Sequence, residues 1–328
     1  MGTKNESTRP FSLWMGLGEW IGAHLMLIVP AGVVIGVLFP QVLLPLKPLV
    51  PTFFAIMTFQ NSLSNNLTAM RAAVQRPWII IITILMVHLA MPLLVFALAS
   101  LLFGPTSPTV AGVVLEYTVP IGASTIMWIG MFAGEVALGL CTLLVSTLIS
   151  PFTIPLTLKL LVGAAVEIDA LGMMGSMAYM VALPALVATV FNEASHGWAQ
   201  RKLAPATTPV SRLLLPVIVG TNATGISEPL HHLTPTLVGI MILMLCFAIG
   251  SFLVGMVIAR RLSRGNEERF VAVSFCCGIR NVTAGAVLAS QYFGPEVMFP
   301  AIIATPFQQV LAALFGRIME RRKSKATS

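Results

Sequence analysis

The sequence predicts an all-α integral membrane protein: ten transmembrane helices in two inverted five-helix repeats, with the fourth and ninth helices broken and crossing. Three observations carry that expectation. The 328 residues are 57% apolar and only 9% charged. The apolar residues fall into ten runs, separated by short segments that hold nearly all the Gly, Pro and charge. Landmarks of the first five runs return in the last five.

Composition excludes most alternatives. Soluble domains carry about 25% charged residues, whereas this chain has a mean hydropathy of +0.91. A cytosolic enzyme, a nucleic-acid binder and a disordered chain are all ruled out, and the implied surroundings are a lipid bilayer. Cys141, Cys246, Cys276 and Cys277 sit inside apolar runs without a CxxC or Cys/His spacing, so neither a disulfide framework nor a metal site is expected. No cofactor is implied. Lys4 and Arg9 precede an apolar run that Glu19 interrupts, with no small-residue cleavage site after it, so this segment is expected to be retained.

A hydrocarbon core of about 30 Å needs about 20 apolar residues per helix. Such runs lie at roughly 20–39, 43–63, 77–103, 109–133 and 135–162, then at 172–192, 211–230, 233–259, 270–292 and 297–316. Lipid offers the backbone no hydrogen-bond partner, so each span is a helix or part of a closed barrel. Continuous rather than alternating apolar residues exclude the barrel. With the first loop outside, 16 of the 19 Lys and Arg, from Lys4 to Lys325, share one side; Lys47 and Lys159 take the other, and Arg280 lies within a span. That asymmetry predicts an inner-membrane protein with both termini cytoplasmic.

The repeat is read from proline. Pro30 in Val29-Pro30-Ala31 corresponds to Pro184 in Leu183-Pro184-Ala185, and Ser150-Pro151-Phe152 to Thr305-Pro306-Phe307, at offsets of 154 and 155. An offset of 156 carries Pro120-Ile121-Gly122, in the Val119-Pro120-Ile121-Gly122 run of the fourth span, onto Cys276-Cys277-Gly278 in the ninth. A shift of five spans is odd, so the second copy enters the membrane upside down. Matching interruptions in inverted halves point to a secondary transporter whose site lies near the bilayer midplane.

A charge at membrane depth costs at least about 2.5 kcal/mol, so each needs a reason. Arg280 follows Gly278 in the ninth span, and Glu116 lies four residues before Pro120 in the fourth. If the broken helices cross, the two charges can meet and offset one another's desolvation. Two readings stand: Arg280 binds an anionic substrate group or replaces a bound cation, or the two charges form a permanent structural ion pair. Ser124, Thr125, Asn281 and Thr283 flank the breaks and offer oxygens suited to sodium or a polar ligand. Gln308 and Gln309 follow Pro306-Phe307 in the tenth span; buried amides need partners, so they are expected to face either another helix or a wet cavity, with the cavity favoured. The expected substrate set is therefore Ser124, Thr125, Arg280, Asn281, Thr283, Gln308 and Gln309; the ion-coupling set is Glu116, Ser124, Thr125, Arg280 and Asn281. No catalytic group is expected, because Glu116 and Arg280 make neither a nucleophile with its base nor a pair of acids.

Other features read as structural. His88, just before Met91-Pro92, is expected to be a satisfied helix-interface histidine, with a proton pathway as the alternative. His231-His232 lacks a helical i,i+4 spacing and reads as a wetted external loop. Gly32 to Gly36 and Gly130 to Gly134 have the small-xxx-small spacing of helix packing.

The run Val119-Pro120-Ile121-Gly122-Ala123-Ser124-Thr125, with Gly134-Glu135-Val136-Ala137-Leu138 and Val145-Ser146-Thr147-Leu148-Ile149-Ser150-Pro151, resembles the bile acid:sodium symporter family. Cys277-Gly278-Ile279-Arg280-Asn281 is similar to that family's Gly-x-x-Asn crossover segment, and the likeness extends over about residues 20–320. The resemblance implies a panel of helices 1, 2, 6 and 7 rocking against a core of helices 3–5 and 8–10, with 1–165 and 166–328 as the two repeats. It also implies Na+ as the transported ion, a small organic anion as the substrate, and a monomer. Ser124 and Thr125 would occupy the family's Ser-Asn ion-site pair, and Gln308 and Gln309 its polar substrate contacts. The family's helix-nine acid and Gln, however, fall at Cys276 and Arg280, and its helix-five hydroxyls at Gly139 and Leu143. A guanidinium repels sodium at close range. The alternatives to sodium symport are thus a fixed charge at Arg280 in place of an ion, proton coupling through Glu116 or His88, uncoupled transport, or a channel or membrane sensor.

Overall fold

The computed structural model describes residues 9–65, 77–228 and 234–327. Arg71, Arg76, His231 and His232 lie outside the described residues. The described chain is nearly all helical, and we number its main helices α1 (Arg9–Leu38), α2 (Pro40–Ser62), α3 (Pro77–Phe103), α4 (Pro108–Thr118), α5 (Ser124–Met131) and α6 (Val136–Val162). The second half follows with α7 (Ala170–Ala194), α8 (Ala199–Ile226), α9 (Pro235–Ser263), α10 (Glu267–Gly278), α11 (Val282–Tyr292) and α12 (Pro295–Thr327). Seven of these (α2, α3, α6, α7, α8, α9 and α12) are long and apolar enough to cross a membrane, and α1, bent by 77° between Leu25 and Leu27, makes an eighth.

Proline shapes these helices through its missing N–H and its clash with the carbonyl four residues earlier. Pro30 stands four residues after the bend in α1. Each of the three π turns, Met86–Ala90, Ala178–Ala182 and Ala199–Leu203, is likewise centred four residues before a proline, namely Pro92, Pro184 and Pro205. The widened turn relieves the clash without ending the helix.

The seventh span departs from the sequence expectation. It was expected at 211–230, yet α8 starts at Ala199, and the polar loop expected before it is reduced to a turn. The polar residues that suggested a loop are satisfied inside the helix pack. Gln60 Nε2 donates to Thr208 Oγ1 at 3.0 Å, and Ser211 Oγ donates to Gln60 Oε1 at 2.7 Å. Arg212 Nη1 donates to the Gly18 carbonyl at 2.6 Å.

Burial divides the molecule. Every residue from Val110 to Thr118 in α4 and from Phe270 to Gly278 in α10 is buried, which marks helices enclosed by protein rather than lipid. By contrast, α1 presents Leu13, Trp20, Leu27 and Leu38 outward and keeps one close seam, where a Cβ on Gly36 would collide with the Gly220 carbonyl of α8. Gly32 meets the Pro216 carbonyl on the same seam. Gly134 also packs tightly, against Ile129 and Val271, but Gly130 is exposed and makes no close approach, a Cβ there having only Val136 at 4.0 Å.

Candidate functional site

The two interruptions meet in the buried centre. Between α4 and α5, Pro120 cannot donate a backbone bond, and Val119 turns extended at φ −63°, ψ 154°. Between α10 and α11, Ile279 is extended at φ −109°, ψ 124°. The two segments run antiparallel, with Ile121 opposite Arg280. Asn281 N–H donates to the Pro120 carbonyl at 2.8 Å, and Gly122 N–H to the Ile279 carbonyl at 3.4 Å. Glycine is required at 122, since a Cβ there would lie 2.7 Å from the Arg280 carbonyl.

Broken backbone at membrane depth is tolerable only where protein satisfies it. Side chains do so here. Ser146 Oγ accepts the Ile121 N–H at 3.0 Å, Gln308 Oε1 accepts the Arg280 N–H at 3.0 Å, and Ser251 Oγ donates to the Gly278 carbonyl at 3.4 Å. Asn281 caps α11, its Oδ1 accepting from Ala284 N at 3.2 Å.

Gln308 is 3% exposed and bridges two functional candidates, because its Nε2 also donates to Glu116 Oε1 at 3.3 Å. Of the two surroundings expected for it, the structure shows protein: both ends of its amide serve the crossing. Of the two readings for Glu116 and Arg280, the direct ion pair is not made. Glu116 is fully buried, with Oε2 lying where only the missing Cβ of Gly285 leaves room, 2.7 Å from that position. Arg280 is 2% exposed, its guanidinium carbon 5.9 Å from the Tyr117 ring centroid, and its Nε, Nη1 and Nη2 have no hydrogen-bond partner among the described residues. Glu116 Oε1 is taken by the Gln308 amide, while its Oε2, like the guanidinium, has no hydrogen-bond partner among the described residues.

The remaining candidates divide. Gln309 Oε1 accepts from Trp128 Nε1 at 3.1 Å, and its Nε2 donates to Ser124 Oγ at 3.4 Å, which joins α12 to the start of α5. Thr125 is fully buried, and its Oγ1 has no partner among the described residues. Thr283 is half-buried on α11. Gly139 has no space for a hydroxyl-bearing side chain, since Ile129 fills the place of its Cβ. His88 is satisfied, as the sequence suggests, between Ser146 and Thr153. Ser146, Trp128 and Tyr117 were missed as participants; the one available signal was that Ser146 falls within the Val145–Pro151 run quoted above.

Comparison with known proteins identifies the family. A sequence profile described as the Sodium Bile acid symporter family matches residues 51–232. The uncharacterised protein YbaS of Bacillus subtilis (strain 168) is 34% identical over 299 residues, covering 91% of this chain and 97% of its own length. YocS of the same organism, named as an uncharacterised sodium-dependent transporter, is 24% identical and 89% covered on both sides. A rice protein with the printed name "Probable sodium/metabolite cotransporter BASS2, chloroplastic" (Oryza sativa subsp. japonica) is 26% identical over 83% of this chain and 64% of its own. The chain belongs to the sodium bile acid symporter family, and the protein is a multi-pass membrane transporter rather than an enzyme.

Proposed function

We propose that the protein carries a small organic anion across the inner membrane by sodium-coupled symport with alternating access. With α4–α5 and α10–α11 each taken as one crossing, its spans number ten, arranged as inverted repeats 1–165 and 166–328 with cytoplasmic termini. Spans 1, 2, 6 and 7, which are α1, α2, α7 and α8, form a panel that rocks against the core as a monomer. The observation that carries this reading is the junction of two interrupted helices at Ile121 and Arg280, both of which are buried. Such interruptions bring polar backbone and side-chain groups to the midplane, where cargo is held. Ser124, Thr125, Asn281 and Thr283 supply neutral oxygens, Gln309 an amide, and Arg280 a cation for the anionic cargo. Sodium coupling is supported by the family and by the names of the cotransporter relatives.

A second reading is favoured by one specific observation, the unpartnered Arg280 guanidinium. A buried cation without a carboxylate partner is costly, and it supplies the charge that a bound sodium would otherwise bring. On this reading Arg280 replaces one ion and the cycle is driven by fewer sodium ions, by protons, or without coupling.

A thermal-shift screen of small carboxylates and sulfonates in sodium and potassium chloride tests both, since a ligand that binds only the native state raises apparent stability. The expected result is an anion whose stabilisation requires sodium and which shows saturable counterflow in proteoliposomes. Stabilisation equal in the two salts selects the Arg280 replacement reading, and a conductance without counterflow would make the protein a channel.

A further inference from the structure

His88 is satisfied within the fold, yet its hydrogen bonds lead to the crossing. It sits at the centre of the π turn Met86–Ala90, four residues before Pro92. A π turn adds one residue to the helical circuit and so re-aims the side chains around it. His88 Nε2 lies 2.7 Å from Ser146 Oγ on α6, and Nδ1 lies 3.1 Å from Thr153 Oγ1 on the same helix. The same Ser146 Oγ holds the Ile121 amide of the first crossover segment at 3.0 Å.

Counting protons gives the chain a direction. The Ile121 N–H can only donate, so Ser146 Oγ is the acceptor there and its own proton is free for His88 Nε2. With Nε2 accepting, Nδ1 carries the ring proton and donates to Thr153 Oγ1. The opposite tautomer would leave the Ser146 proton only a carbonyl of its own helix, at a site with 0% exposure, whereas this one pairs it with His88 and leaves the spare proton on half-buried Thr153. Without an acceptor at 88, the Ser146 hydroxyl turns back to a carbonyl of its own helix, the usual habit of a helical serine, and the Ile121 amide loses its oriented partner.

We propose that His88 is a positioning residue for transport: through Ser146 it holds the first crossover segment, and with it the Ile121–Arg280 junction, in register. It acts at one remove from the cargo, and Pro92 is the residue that aims it. The proposal rests on the chain being a transporter with this crossing, and is independent of which ion drives it.

Hydrogen–deuterium exchange of the full-length protein in nanodiscs, in potassium chloride and without substrate, tests it. The readout is the rate in peptides covering 117–126 and 275–284. His88→Leu and Ser146→Ala are each expected to speed exchange there about tenfold, which corresponds to about 1.4 kcal/mol of opening free energy, with the other spans unchanged. The double variant is expected to be no faster than either single one, because one chain is broken once. His88→Gln, whose Oε1 can accept the Ser146 proton, should restore slow exchange; His88→Asn, too short to reach, should not. Pro92→Ala, which removes the cause of the π turn, should mimic His88→Leu. Unchanged exchange in His88→Leu, acceleration spread evenly over all spans, or no difference between Gln and Asn would each overturn the proposal. The Gln and Asn pair keeps the test decisive even where His88→Leu fails to fold.

Discussion

The two helix interruptions have one shape and two different causes. The first, between α4 and α5, is written into the covalent chain: Pro120 withdraws a donor, and Gly122 lets the Arg280 carbonyl approach. The second, between α10 and α11, contains no proline. It is held open by side chains from elsewhere, with Gln308 taking the Arg280 amide, Ser251 the Gly278 carbonyl, and Asn281 capping the helix that resumes. Only the second carries a charge. Backbone geometry is thus shared by the two breaks while charge is not, and on the proposed function the second break brings the cation to the cargo while the first offers at most neutral oxygens.

The largest expected effect is at Arg280, where stability and activity should move in opposite directions. Arg280→Gln removes a buried charge without a partner among the described residues, so thermal unfolding of the purified protein should occur at the same temperature or higher. Uptake of the anion found by the thermal-shift screen should fall by about 10- to 100-fold, the worth of one or two hydrogen bonds to a charged group. A variant that loses stability as well as uptake would make Arg280 part of the scaffold and erase the contrast between the breaks.

Gln308→Ala should do the reverse. It strips the partner from the Arg280 amide and from Glu116 Oε1 together, and each buried group left unsatisfied costs about 1–3 kcal/mol. A fall in stability of about 2–4 kcal/mol, read by denaturant or thermal unfolding, is expected before any effect on transport is considered. Asn281→Ala comes next at about 1 kcal/mol, the usual worth of a helix N-cap, while Asn281→Asp or Ser should cost only a few tenths. The same unfolding assay orders all three.

How much of this was legible in the sequence follows from the same contrast. Pro120 announced the first break directly, and the depth of Glu116 and Arg280 announced that something must receive them. The second break was found only by carrying the first forward by the repeat offset, since Cys276-Cys277-Gly278 contains no residue that must end a helix. The choice between a Glu116–Arg280 ion pair and separate roles could not be made locally, because what Glu116 Oε1 meets lies 28 residues beyond Arg280 and no nearby pattern points to Gln308. Ser146 was invisible for a similar reason: a serine in an apolar helix ordinarily bonds its own backbone, and its bond to Ile121 exists only after α6 packs against the crossing. The π turns lay between these extremes. Pro92, Pro184 and Pro205 each sit four residues past one, but Pro151 and Pro155 in α6 and Pro209 and Pro216 in α8 are accommodated within regular helix.

The smallest structural effect should fall at Ser124, and it is the most informative about cargo. Its hydroxyl makes one long bond, 3.4 Å to Gln309 Nε2, at a half-buried position, and its backbone already begins α5 without a side-chain cap. Ser124→Ala should therefore change stability by no more than about 0.5 kcal/mol. If the first break is architecture alone, sodium dependence and half-saturation of uptake will be untouched as well. If instead the hydroxyl is a ligand, the half-saturation for sodium or for the anion will rise several-fold at unchanged stability and maximal rate. That outcome would return part of the cargo site to the first break, leaving charge, rather than ligation, as the property that divides the two halves.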